Sequence, residues 1–260
     1  MLNLSGFVND VLFQGDRRSY WHPAHFGLKH ERFECVTSDG EKLSGLVLLA
    51  KPAEGGMVRG TVLFFHAAVM NLQFHLPQVA FFADAGFHVV LFDYRGFGSS
   101  TGRSGMKTLD DDAESVFQWV EKSEWSSSNL VLFGQGIGCD AALRLLHRHP
   151  SRFRSLVLEA PYAHRGDWLR ERWGPLIGDI AAKVVKIDAV EPEEVLAQAR
   201  VPVLAVYPDH CAFARSGQRR RVESSLNERG HSFEVSGAKF LGIFGSGRPE
   251  PQARVLEFIA

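Results

Sequence analysis

Five short apolar runs constrain this chain more than any other feature. "TVLFFH" (61–66), "FHVVLFD" (87–93), "LVLF" (130–133), "SLVLEA" (155–160) and "VPVLAVY" (201–207) are nearly continuous in hydrophobic residues. Strands with one solvated face alternate apolar and polar positions; runs this uniform belong to strands covered on both faces, as in a parallel sheet. Between them lie helical patterns. "HLPQVAFFADAG" (75–86) stops at Gly86, and "TLDDDAESVFQWVEKS" (108–123) puts Ala113, Val116, Phe117 and Val120 on one face with acids in its first turn. Strand alternating with helix predicts an α/β fold, a mostly parallel sheet with helices on both faces joined by right-handed crossovers.

Other segments complete this plan. "HERFECVT" (30–37) and "KLSGLVLLA" (42–50) flank the turn "SDGE" as a hairpin, "HSFEV" (231–235) is a last strand, and "EPQARVLEFI" (250–259) a closing helix. The segment between 160 and 201 is too long for a simple crossover, and residues 163–199 are expected to form a small helical cap over the carboxyl edge of the sheet. At 260 residues with 45% hydrophobic composition, one core serves the whole chain, so a single domain over 1–260 is expected.

Bulk charge narrows the function classes. A net charge of −1 gives no electrostatic basis for nucleic-acid binding, and the densest basic run, Arg215 with Arg219-Arg220-Arg221, reads as a solvated helix face. Three scattered cysteines, Cys35, Cys139 and Cys211, make no disulfide framework. No apolar stretch is long enough to span a bilayer, the N-terminus lacks a secretory pattern, and a cytoplasmic location is expected. Eleven histidines, His22 and His25 among them, show no metal-ligand spacing, so neither metal nor other cofactor is expected. The tripeptide Arg165-Gly166-Asp167 reads as chance.

One stretch points to chemistry. "LVLFGQGIGCDAALRLLHRHP" (130–150) runs from an apolar strand through Gly134-Gln135-Gly136-Ile137-Gly138 into an amphipathic helix, the layout of a nucleophile elbow. The position of the nucleophile is held by Gly136. With "VVLFDYRGFGSSTG", "TVLFFHAAVMN", "VPVLAVYPDHCAF" and "VSGAKFLGIFG", this stretch resembles the α/β-hydrolase superfamily, in its serine-hydrolase branch of small peptidase-like esterases. The resemblance runs nearly end to end and implies the hydrolase fold.

The family's catalytic residues do not carry over. The resemblance places the nucleophile on Gly136, the general base on Phe240 and the acid on Cys211, or on Asp209 with a two-residue slip. Glycine offers no nucleophile and phenylalanine takes no proton, so a degenerate triad without catalytic residues is expected. The family's oxyanion hole is backbone and would survive, from the N–H of Ile137 and of Ala67 or Ala68. Three readings follow. In the first, the chain binds a small acyl or anionic molecule through Ala67, Ala68, Gln135, Gly136, Ile137 and Trp168. In the second, Cys211, activated by His210 or His66, is a relocated nucleophile acting on esters or thioesters as hydrolase or acyltransferase. In the third, the chain binds a protein partner, with Trp168, Trp173, Tyr20 and Trp21 as candidate anchors.

Overall fold

The computed structural model describes residues 4–52, 56–185, 189–245 and 248–260. In chain order the elements are α1 (Leu4–Leu12), β1 (Gln14–Gly15), a 3-10 turn (Pro23–Phe26), β2 (His30–Val36), β3 (Lys42–Leu48), β4 (Gly60–Phe65), β5 (Val69–Met70), α2 (Leu72–Asp84), β6 (Phe87–Phe92) and α3 (Leu109–Lys122). There follow β7 (Leu130–Gln135), α4 (Gly138–Arg148), β8 (Ser155–Glu159), α5 (Arg165–Trp173), α6 (Pro175–Val184), α7 (Pro192–Gln198), β9 (Val203–Pro208), α8 (Ser216–Ser225), β10 (Gly230–Val235) and α9 (Pro249–Phe258).

One eight-stranded sheet has the order β10-β9-β8-β7-β4-β6-β3-β2. From β6 to β10 every neighbouring pair is parallel, and β3 runs antiparallel to both β6 and β2. The five apolar runs are five of its six inner strands, and β3 of the expected hairpin is the sixth. Period-two alternation splits their side chains between two cores: Leu63 and Phe65 of β4 and Leu130 and Leu132 of β7 face one, Val62, Phe64, Val131 and Phe133 the other. The first core packs under α3, α4, α7 and α8, and the second under α2 and α9. The inner parallel strands are therefore dry on both faces, whereas the edge strands β2 and β10 keep exposed positions.

Helix α2 starts at Leu72, three residues before the expected His75, and carries Pro77 inside it. Asn71 explains the early start: its side chain accepts the N–H of Gln73 at 3.0 Å, a cap that fixes the first turn upstream of the proline. Helix α1 and the two-residue pairing of β1 with β5 were not expected. Of the three helices between β8 and β9, α5 and α6 pack on each other, and α5 brings Trp168 over the sheet edge. Helix α7 lies against α4 and α8 as a sheet-flanking helix. Residues 186–188 of the expected cap lie outside the described residues.

Candidate functional site

The site lies where β4 and β7 end. After β7 the chain turns at Gly136, with φ +58, and enters α4. Gly138 has to be glycine, because a Cβ there would lie 2.0 Å from the Phe65 carbonyl oxygen, so α4 meets β4 backbone to backbone. Gly136 is different. A Cβ there meets side chains only: Phe240 Cζ at 2.9 Å, Ala67 Cβ at 3.5 Å and Phe213 Cζ at 3.5 Å.

Aromatic rings roof this position. Phe240 stacks on Phe213 with centroids 4.9 Å apart, Phe213 packs on Trp168 at 5.1 Å, and Trp168 stacks on Tyr162 at 4.7 Å. The Trp168 indole N–H donates to the Phe213 carbonyl at 2.8 Å and locks the ladder. Beside it is a cavity of about 180 Å³ whose lining includes Ala67, Ala68, Ile137, Trp168, Phe213 and Phe240. Among the described residues, the backbone N–H groups of Ala67 and Ile137 donate to no protein acceptor. The Ala68 carbonyl accepts from Gln14 N at 2.8 Å, so the N-terminal segment is stitched to the loop after β4, and Val11 and Leu12 join the cavity wall.

Gly136 is not among the residues that line the cavity, because the Phe240 ring covers it, and Gln135 does not line it either. Its side chain is fully buried and joins a polar chain below the turn. Its amide nitrogen is 2.6 Å from Glu159 Oε2, while Glu159 Oε1 accepts Leu241 N at 3.2 Å. Burial pushes the Glu159 carboxyl up to about 7 and holds His75 down to about 4. His75 is neutral: its Nε2–H donates to the Val69 carbonyl at 3.1 Å, which leaves Nδ1 as an acceptor. Gln135 Oε1 and His75 Nδ1 have no partner, yet the amide adjoins the ring. Turning that amide over satisfies every member: a protonated Glu159 donates to Gln135 Oε1, and Gln135 Nε2 donates to His75 Nδ1. Glu159 and His75 escaped the sequence reading. The signal for the first was a lone acid in an otherwise apolar run, "SLVLEA".

The remaining candidates sit apart from the cavity. Asp209 is half-buried; its Oδ2 accepts Gly237 N at 2.8 Å, and that bond, with burial opposing, keeps its carboxyl below the ordinary range. Cys211 is partly buried, its Sγ accepts Ala214 N at 3.2 Å, and burial pushes its thiol up. Neither His210 nor His66 hydrogen-bonds it among the described residues. His66 is fully buried, donates from Nδ1 to the Ala67 carbonyl at 2.7 Å, and is held well below its ordinary range by burial and by His75. His22 and His25 cap the 3-10 turn: His22 Nδ1 accepts Ala24 N and His25 Nδ1 accepts His22 N. Among the described residues, no group of three or more His, Cys, Asp or Glu side chains is placed to hold a metal ion. No helix among them is long and apolar enough to cross a membrane.

A mixed sheet of this order, with a left-handed turn between β7 and α4, defines the α/β-hydrolase superfamily. A family model described as serine aminopeptidase, S33, matches residues 56–202, more than half the chain, and the chain belongs to that family. Protein bem46 of Schizosaccharomyces pombe is 30% identical over 158 residues, 60% of this chain and 52% of that protein. The uncharacterized protein YfhR of Escherichia coli K12 is 31% identical over 135 residues, 51% of this chain and 48% of that one. The chain thus spans about half the length of these curated relatives. The esterase Pf2001 of Pyrococcus furiosus superposes with a TM-score of 0.75 at 17% identity, over 95% of this chain and 97% of the other, a likeness of fold.

Proposed function

We propose that this member of the hydrolase superfamily no longer hydrolyses and acts as a binding protein for a small acyl-bearing or anionic molecule, held in the cavity above Gly136. The observation that carries this reading is the position of Phe240. Its ring tip is 2.9 Å from where a side chain on Gly136 would begin, so the ring fills the space in which a nucleophile would meet its base, and a phenyl ring takes no proton. In this reading Gly136 and Phe240 are the degenerate nucleophile and base positions, and Asp209, which reaches the turn at Gly237 leading to Phe240, stands nearest the acid's role. The free N–H groups of Ala67 and Ile137 are the surviving oxyanion donors. The cavity, at about 180 Å³, suits a short acyl group; drug-sized sites begin near about 300 Å³.

A relocated Cys211 nucleophile fits the site less well. A thiol raised by burial, without a histidine partner, has little thiolate at neutral pH. A protein-binding role has its own support: α1 packs on α6, and Leu4, Phe7, Leu176, Ile177 and Ile180 are exposed on these two helices. A cytoplasmic location remains part of the proposal.

The test is a panel of short-chain acyl esters and thioesters with turnover and intact mass followed together. Wild type is expected to show neither turnover nor adduct, and Gly136→Ser/Phe240→His to hydrolyse esters at least tenfold above either single variant. Turnover by wild type overturns the reading.

A further inference from the structure

A second cleft, of about 450 Å³, opens where β2, β3 and the start of α2 meet, and it shares no lining residue with the cavity above Gly136. Its wall gathers Arg17, Arg18, His22, His30 and Arg32 in a protein whose net charge is −1. Arg17 and Arg18 follow β1. The alternation of β2 places His30 and Arg32 on one face while Phe33 and Cys35 enter the core.

The acid beside these cations is Asp16, whose Oδ1 accepts the Arg18 backbone N–H at 3.2 Å. Among the described residues none of the three guanidinium groups pairs with a carboxylate, whereas Arg95, Arg103, Arg144 and Arg165 elsewhere all do. The one acidic residue in the wall, Asp93, is buried and its Oδ1 is committed to Leu72 N at 2.7 Å. Burial, with His22 and Arg32 close by, also lowers the pKa of His30. The thirteen-residue helix α2 begins at the cleft, with its first two N–H groups already taken by Asp93 and Asn71.

We propose that this cleft binds the phosphate or pyrophosphate group of a small soluble molecule. Guanidinium groups present paired N–H donors matched to phosphate oxygens, and three of them in one concave wall favour a ligand with more than one negative charge. Ser19, Ser44 and Ser99 add hydroxyls for the remaining oxygens. Binding here needs nothing from the reading of the elbow and stands or falls separately.

Isothermal titration of the full chain with inorganic phosphate and with pyrophosphate tests it, using Arg17→Ala/Arg32→Ala and, as a charge-matched control, Arg215→Ala/Arg220→Ala, just before and within α8. All four side chains are exposed, and equal melting temperatures confirm that the variants are folded. The expected result is one saturable site, tighter for pyrophosphate, with Kd raised at least about tenfold in the cleft variant and unchanged in the control. A parallel arm uses vesicles containing phosphatidic acid. No saturable binding up to about 10 mM, equal loss in the control, or binding to vesicles without binding to pyrophosphate each overturns the proposal.

Discussion

Phe240 and Gly136 occupy one space: a side-chain carbon on Gly136 would sit 2.9 Å from the Phe240 ring tip, closer than two carbons tolerate. The backbone at Gly136, with φ +58, adds its own penalty for any other residue. Gly136→Ala is therefore expected to destabilise the protein by about 1–3 kcal/mol. In a double-mutant cycle with Phe240→Ala, the part due to the ring disappears and the backbone part remains. Urea denaturation of the four proteins measures both.

Glu159 gives a pH signature. Its folded pKa, about 7, lies above the ordinary carboxyl value, so folding favours the neutral form. That contribution is complete below the unfolded pKa and is lost as pH rises through about 7. His75, held to about 4, acts in the opposite sense, losing stability as pH falls below the ordinary histidine value. Comparing wild type with Glu159→Gln removes the histidine part. Relative to wild type the variant is expected to gain stability, on the order of 2–3 kcal/mol, between pH 5 and about 8. A flat difference across that range contradicts a neutral buried Glu159.

Cys211 is expected to be a sluggish thiol. Its sulfur is partly buried, accepts Ala214 N, and has its pKa raised. Alkylation by iodoacetamide at pH 7, read by intact mass, should run at least about tenfold slower than for free cysteine and recover on unfolding. Fast labelling at Cys211 would restore it as a nucleophile candidate.

Beneath the first turn of α4, Asp140 bridges Arg144 and Arg165, with Arg165 Nη2 at 2.6 Å. Burial alone would raise this carboxyl, yet the two guanidinium groups hold it down to about 2. Asp140→Ala takes the closest carboxylate from two nearly buried cations, leaving Arg144 with Asp110 at 3.7 Å and Arg165 with Glu191 at 3.3 Å, and should cost about 3 kcal/mol, measured by thermal or urea unfolding. The elbow and α5 meet through this ion triad, so the loss should also loosen the Trp168 ladder, visible as a change in tryptophan fluorescence.

The sequence was most legible where burial on both faces forced uniform composition. The apolar runs at 61–66, 87–93, 130–133, 155–160 and 201–207 are five of the six inner strands, since a strand covered on both sides admits few polar side chains, Glu159 among them. Gly136 at the turn after β7 was legible too, because a strand-to-helix turn needs closely spaced glycines. Phe213 was not, because its importance arises from packing on Trp168, 45 residues earlier in the chain, and no local pattern reports such a contact. The arginine cleft was illegible for the same reason. Arg17 and Arg32 are neighbours only after β1 has paired with β5 and β2 with β3.

That pairing of β1 with β5 involves two residues on each strand, yet it holds α1 over the cavity wall. A clasp this short opens far more readily than the sheet beneath it unfolds. In the proposed binding role, fraying of the N-terminal segment rather than breathing of the core would time traffic into and out of the cavity. Residence time would then depend on Gln14 and Ala68, whose backbone hydrogen bond joins that segment to the wall both residues line.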